Sequence, residues 1–330
     1  EIQTTVAKEG ALEHLVNLLE PVEQAPTGGS LAGRSEAASA LWSISSTNTE
    51  TTTKIAELGA IPKVVQLLHE KDASAQKNAA AAVAALARGG GSGEDNSKPI
   101  QDEIAKAGGI KPLVNLLAPE HDDDVHARMA EALAELARGH SANQSAVAEA
   151  GGIKLLVSLL ESDGAEHAKA AAAMALWSFT MKHASNQKQV AKAGGLAPLV
   201  ALLGIGNTET QHFAAGALAS IALDNPSNET AIATMMTELV SSNDMETCTK
   251  AARAISRLAR SHPSNQVAIA QSGGLKRLVA MLSEQEKAFV PEDGNGEEGI
   301  GGSPAKEKPS KAALNLRVFL QKEVSSALWS

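Results

Sequence analysis

The chain has 330 residues, 43% of them hydrophobic and none of them tyrosine, and its 29 basic and 38 acidic side chains leave a net charge of −9. The negative charge is spread rather than blocked, which excludes an advertised nucleic-acid or polyanion surface. The lone Cys248 excludes a disulfide framework and suits a reducing compartment, cytoplasmic or nuclear. As a small residue within a predicted helix it reads as packing rather than as a nucleophile.

The glycines that open each long apolar run are Gly10, Gly59, Gly108, Gly151, Gly194 and Gly273, spaced by 49, 49, 43, 43 and 79 residues. A fixed period of this size marks a stacked repeat. The last interval is close to two periods, so a degenerate copy that has lost its glycine is expected at 230–240. That makes about seven copies, over 1–46, 47–94, 95–139, 140–182, 183–224, 225–261 and 262–330. Asn48, Asn96, Asn143, Asn186, Asn228 and Asn265 mark the starts of copies two to seven, where asparagine is a favoured helix N-cap.

Each copy predicts three helices. The first is short, as at 187–193, and ends where glycine turns the chain sharply. The second carries leucine and valine at helical spacing, as with Leu113, Val114, Leu116 and Leu117. The third follows an Asp/Ser/Gly break and is alanine-rich, as at 128–138. No segment alternates as a strand would. No apolar run approaches the roughly 20 residues that cross a bilayer, and no signal-like segment opens the chain.

Three insertions interrupt the period. Residues 21–33 and 284–309 fall between second and third helices, and 89–99 between copies. The longest lacks the apolar content to order itself and is expected to be a mobile loop. The final six residues, SSALWS, match ASALWS at 38–43 in all but the first. The chain is therefore expected to stop midway through a third helix, without the polar cap a solenoid end needs, as a window from a longer protein.

Three-helix copies with lines such as AGGIKPLVNLL at 107–117 and AAMALWSF at 172–179 resemble the armadillo repeat. The resemblance covers the chain apart from the insertions, and its recurrence makes it specific. The related HEAT repeat has two helices and lacks the short first one. The resemblance implies an all-α, right-handed α-solenoid, a superhelix in which third helices line a concave groove for extended segments of partner proteins.

Importin-α-like members of that family hold basic segments with a tryptophan and, four residues later, an asparagine on successive third helices. The matching tryptophan places here are Ser39, Ala81, Glu131, Met174, Gly216 and Arg253, and the asparagine places are Ser43, Ala85, Glu135, Ser178, Ser220 and Arg257. Neither ladder is present. Trp42 and Trp177 lie one position before the asparagine place, on the groove flank. Glu131 and Glu135 stand one turn apart on one face, as do Arg253, Arg257 and Arg260. Guanidinium groups in a row grip carboxylates or phosphates, so the resemblance to β-catenin-like members implies acidic or phosphorylated partner segments.

No catalytic set, cofactor motif or metal site is read from the sequence. Gly89-Gly-Gly-Ser-Gly93 lacks the lysine and hydroxyl residue of a phosphate loop. The acidic residues between His121 and His126 read as favouring the positive end of a helix dipole rather than as metal ligands. The expectation is a protein-interaction scaffold, not an enzyme. An import adaptor with a divergent groove is an alternative, as is the substrate-recruiting region of a larger enzyme such as a ubiquitin ligase.

Overall fold

The computed structural model describes residues 10–24, 27–46, 49–89, 94–205 and 207–240, with positions 255, 270, 276 and 280. These residues form fifteen helices and no strand, the one β feature among them being an isolated bridge between Pro21 and Gly29. The first copy contributes α1 (Ala11–Leu18) and α2 (Leu31–Ser45). The second contributes α3 (Thr49–Glu57), α4 (Ala60–Leu67) and α5 (Ala73–Arg88), and the third α6 (Glu94–Lys106), α7 (Ile110–Asn115) and α8 (Asp123–Ala137). The fourth has α9 (Ser141–Glu149), α10 (Gly152–Glu161) and α11 (Glu166–Thr180), and the fifth α12 (Ala184–Lys192), α13 (Leu196–Ile205) and α14 (Thr208–Ala222). Last comes α15 (Pro226–Val240).

The polar breaks ahead of the third helices act as caps. Asp72, Asp122 and Asn207 accept from the backbone N–H three residues on at 2.7, 2.8 and 2.9 Å, opening α5, α8 and α14. Third helices then stack in order, α2 on α5, α5 on α8, α8 on α11 and α11 on α14. A helix held between two neighbours needs no polar face, and residues 79–87 of α5 are all buried. Second helices pack on the third helix of their own copy, and one contiguous core runs from Leu12 to Met236 and Ile255.

Paired glycines divide the labour of the bend between first and second helices. Gly108, Gly151 and Gly194 have φ of +82°, +86° and +85° with open space where a Cβ would go, so their role is conformational. Gly109, Gly152 and Gly195 are needed for room. A Cβ there would lie 2.9, 2.6 and 2.8 Å from Ile104, Val147 and Val190 of the preceding helix. In the sixth copy the equivalent positions, counted from the asparagine, are Met236 and Thr237. Both lie inside α15, which runs unbroken where first and second helices would otherwise be separate.

Asn143, Asn186 and Asn228 are not the caps; Asn48 and Asn265 lie outside the described residues. His140, His183 and Asn225 hold that position, three residues earlier, and accept from the N–H groups of Asn143, Asn186 and Asn228, each at 3.3 Å. In the two histidines Nδ1 is the acceptor, so the imidazole takes the place of the usual capping oxygen. Nε2–H of His140 then donates to Asp102 and that of His183 to Ser145, both at 3.1 Å. The asparagines instead turn inward. Asn186 Nδ2 donates to Phe179 O and to Gln144 O at 3.0 Å each, tying a first helix to the third helix before it and to the first helix of the previous copy. Asn143 and Asn228 repeat this with Leu136 and Gln101, and with Ile221 and Gln187. The neighbouring glutamines continue the ladder, Gln144 Nε2 donating to Ser178 O at 2.7 Å and Gln187 Nε2 to Ser220 O at 2.9 Å. Its bonds to Leu136, Phe179, Ile221, Ser178 and Ser220 satisfy carbonyls in the last turns of third helices.

Two expected insertions differ in detail. Residues 94–99 belong to α6 rather than to a loop, since residues 94–107 contain no glycine and Pro99 is accommodated inside the helix. The stretch after α1 folds back tightly: Gly29 N–H donates to Glu20 O at 2.8 Å, and α2 already begins at Leu31. The expected loop 284–309 lies outside the described residues.

Candidate functional site

Third helices supply most of the lining of two adjoining cavities, and side-chain size sculpts them. On α5, Ala81, Ala84 and Ala85 form a low strip between α2 and α8. Across it Arg128 of α8 places its guanidinium 5.2 Å from the centre of the Trp42 ring, a cation–π contact, and donates to Glu131 at 2.8 Å. Together with Arg88, His167, Met174, Glu209 and Phe213 they enclose a cavity of about 310 Å³. A second cavity of about 270 Å³ follows, lined by Arg138, Gly139, Met174, Trp177, Ser178, Met181, His212 and Phe213. Met174 and Phe213 are common to both.

Trp177 is held by its neighbours on α14. Its ring meets His212 edge-on at 5.6 Å and lies over Gly216, where a Cβ would come within 2.6 Å of it. Gly216 is one of the places where an import-type ladder would carry tryptophan. Here the indole of the preceding copy fills that space instead.

The two glutamates expected as a pair have different fates. Glu131 is half-exposed and tied to Arg128. Glu135 is buried, and its carboxylate accepts from Arg88 Nε and Nη2 at 3.4 and 3.2 Å and from Arg138 Nε and Nη2 at 2.9 and 3.0 Å. An open acidic face does not result, because burial demands that the carboxylate be neutralised. Ser39 is half-buried; Ser43 is exposed and donates to Ser39 O. Ser178 and Ser220 are buried. Ser220 bonds to Thr180 Oγ1, and both serine carbonyls serve the glutamine ladder. The structure thus brings Trp42, Glu131, Met174, Trp177 and Ser178 to the cavities and places Ser220 beneath. Arg253, Arg257 and Arg260 lie outside the described residues.

The acidic segment ahead of α8 is taken up by packing between copies. Asp122 caps α8, Asp123 accepts from Ala165 N–H at 2.7 Å, and Asp124 pairs with His167 at 3.1 Å and Lys77 at 3.7 Å. His126 Nε2 bonds to Ala118 O at 3.0 Å. Among the described residues no three metal-ligating side chains converge, and no helix is long and apolar enough to cross a membrane.

Residues 51–185 match the family model of the SIL1/FES1/HPBP1 C-terminal domain. No curated protein matches the chain. Among solved structures, one engineered protein is 32% identical with a TM-score of 0.62, the match covering 76% of this chain and 97% of that one. A second engineered protein is 30% identical with a TM-score of 0.65, covering 99% of this chain and 69% of the other. A designed armadillo repeat protein in complex with the peptide (KR)4 is 26% identical, with a TM-score of 0.59 over 75% of this chain and 99% of its own. The chain has an armadillo-like helical repeat fold.

At the two cavities, Arg88, Arg128, Arg138, His212 and Phe213 are not among the residues the sequence singles out. A signal for two of them was present. Leu-Ala-Arg recurs at 86–88, 136–138 and 258–260, so arginine closes three of the third-helix segments. Arg128 and Phe213 carry no such mark, because their role depends on which side chains the stacking brings across the groove.

Proposed function

We propose that the chain is a protein-interaction scaffold, non-catalytic in itself, that takes extended segments of partner proteins along the groove of its third helices. The observation that carries this reading is the pair of adjoining cavities, meeting at Met174 and Phe213 and walled by Trp42 and Trp177. Concave, largely apolar sites with a few oriented polar groups are what side chains of a bound segment require. The peptide complex of a designed protein with the same repeat type supports it. On the sequence alone, the proposal extends to one array over 1–330 and to acidic or phosphorylated segments as ligands for Arg253, Arg257 and Arg260. Trp177 over Gly216 weighs against an import adaptor, since that place has no room for a partner-binding tryptophan, and Ser178 and Ser220 stand where its asparagines would be.

The test is a display selection of random extended peptides against the chain, with binders re-measured on Met174→Trp. The indole fills the junction of the two cavities, so selected peptides should weaken at least about tenfold, near 1.4 kcal/mol. An empty selection, or binders indifferent to the substitution, would sink the reading.

A further inference from the structure

Resting on the groove reading above, we propose that the described part of the groove selects a segment bearing a large apolar side chain beside a carboxylate. The apolar group enters the cavity between Met174, Trp177 and Phe213, and the carboxylate spans Arg88 and Arg138. Glu135 makes this arrangement possible. Its side chain is only 4% exposed, whereas those of Arg88 and Arg138 are 49% and 52% exposed. Two guanidinium groups on one buried carboxylate leave a net charge of +1, and the negative member is out of a ligand's reach.

Geometry fixes how that charge is offered. Each arginine gives Nε and Nη2 to Glu135 and keeps Nη1 without a described partner. Both guanidinium planes are thereby oriented before any ligand arrives, which lowers the entropy lost on binding. Arg88 lines the first cavity and Arg138 the second, so the buried glutamate links arginines that serve both cavities. Around the first cavity Arg128 is paired to Glu131 and Lys77 to Asp124, and Glu209 adds one negative charge, so the positive excess is confined to the Arg88–Arg138 pair. A basic segment would meet the arginine pair head-on, and like charges at this range repel.

The cavity beside Arg138 supplies the second half of the recognition. Two methionines, an indole and a phenyl ring line about 270 Å³. Methionine adapts to varied apolar shapes, and aromatic rings reward a large hydrophobic insert. In an extended segment alternate side chains point the same way, so one strand can deliver both groups to the floor.

The proposal is tested by fluorescence anisotropy on the full chain with three labelled glycine–serine peptides, carrying phenylalanine with two glutamates, phenylalanine with two lysines, and two glutamates alone. The first should bind at least about tenfold tighter than either other, and its affinity should fall with salt. Glu135→Gln removes the buried negative charge while keeping both arginines, so the phenylalanine–glutamate peptide should tighten several-fold, a gain that misfolding does not produce. Met181→Glu, at the exposed rim, should weaken it. Preference for the lysine peptide, or an unchanged or weaker Glu135→Gln complex, overturns the proposal while leaving the groove reading intact. Silence from all three peptides on wild type overturns it too; only an empty display selection besides would remove the groove reading with it.

Discussion

Copies four and five differ from copy six at the bend between first and second helices. In the former, Gly151 and Gly194 adopt positive φ, and a short helix ends before a second begins. In the latter, Met236 and Thr237 stand at the equivalent places and α15 continues, Thr237 bonding back to Ala233 O at 2.9 Å. Yet the asparagine ladder persists in all three, with Asn228 still reaching Ile221 O at 3.0 Å. The bend and the clip between copies are therefore separable. A copy can lose its glycine and stay stacked, because the clip is set by the first turn of the first helix, upstream of the bend.

The sharpest way to break that comparison is to remove the clip. Asn186→Leu leaves Phe179 O buried without its donor, since His183 N–H bonds to Thr180 O instead. A cost of about 2–3 kcal/mol is expected, in the range for a buried polar group deprived of its partner. Asn228→Leu should cost less, as one of its two bonds is already long at 3.5 Å. Thermal unfolding combined with hydrogen exchange over α12 and α15 reads both, because a stacked array opens locally. Equal costs would mean that the bend and the clip are coupled after all.

Removing the bend should matter less. Gly194→Thr puts a β-branched residue at φ +85°, with nothing nearby to clash, so the penalty is conformational and about 1–2 kcal/mol. The reciprocal Thr237→Gly should not create a bend, and should cost about 1 kcal/mol as an ordinary helix-interior glycine. If Gly194→Thr were neutral, the glycine would be incidental to where α12 ends.

The repeat, its three-helix copies and the missing glycine of copy six were legible because they rest on spacing, and spacing survives in one dimension. The asparagines were visible at the same period, but their role was not. A residue at the start of a helix reads as a cap from sequence, and only the three-dimensional position of Phe179 O and Gln144 O shows that Asn186 faces inward. The groove was harder still. Glu131 and Glu135 look alike at one-turn spacing, yet the arginine ending the previous third helix, 47 residues before Glu135, decides that one is buried and neutralised. Trp177 was placed on the flank, and its partner proved to be an absence, the missing side chain of Gly216.

The smallest effect belongs to the caps, and it asks whether histidine there does more than asparagine. His183 Nδ1 and Asn225 Oδ1 accept the same kind of N–H at the same 3.3 Å, in copies five and six. His183→Ala should therefore cost about 1 kcal/mol, the usual worth of an N-cap, while His183→Asn should recover most of it. Any shortfall measures the second bond, from Nε2–H to Ser145 of the preceding copy at 3.1 Å, which asparagine is too short to reach. If His183→Asn were as damaging as His183→Ala, that cross-copy bond would be the larger part of the interaction. The histidines would then belong with the asparagine ladder as clips between copies, and copy six would have lost a clip as well as its bend.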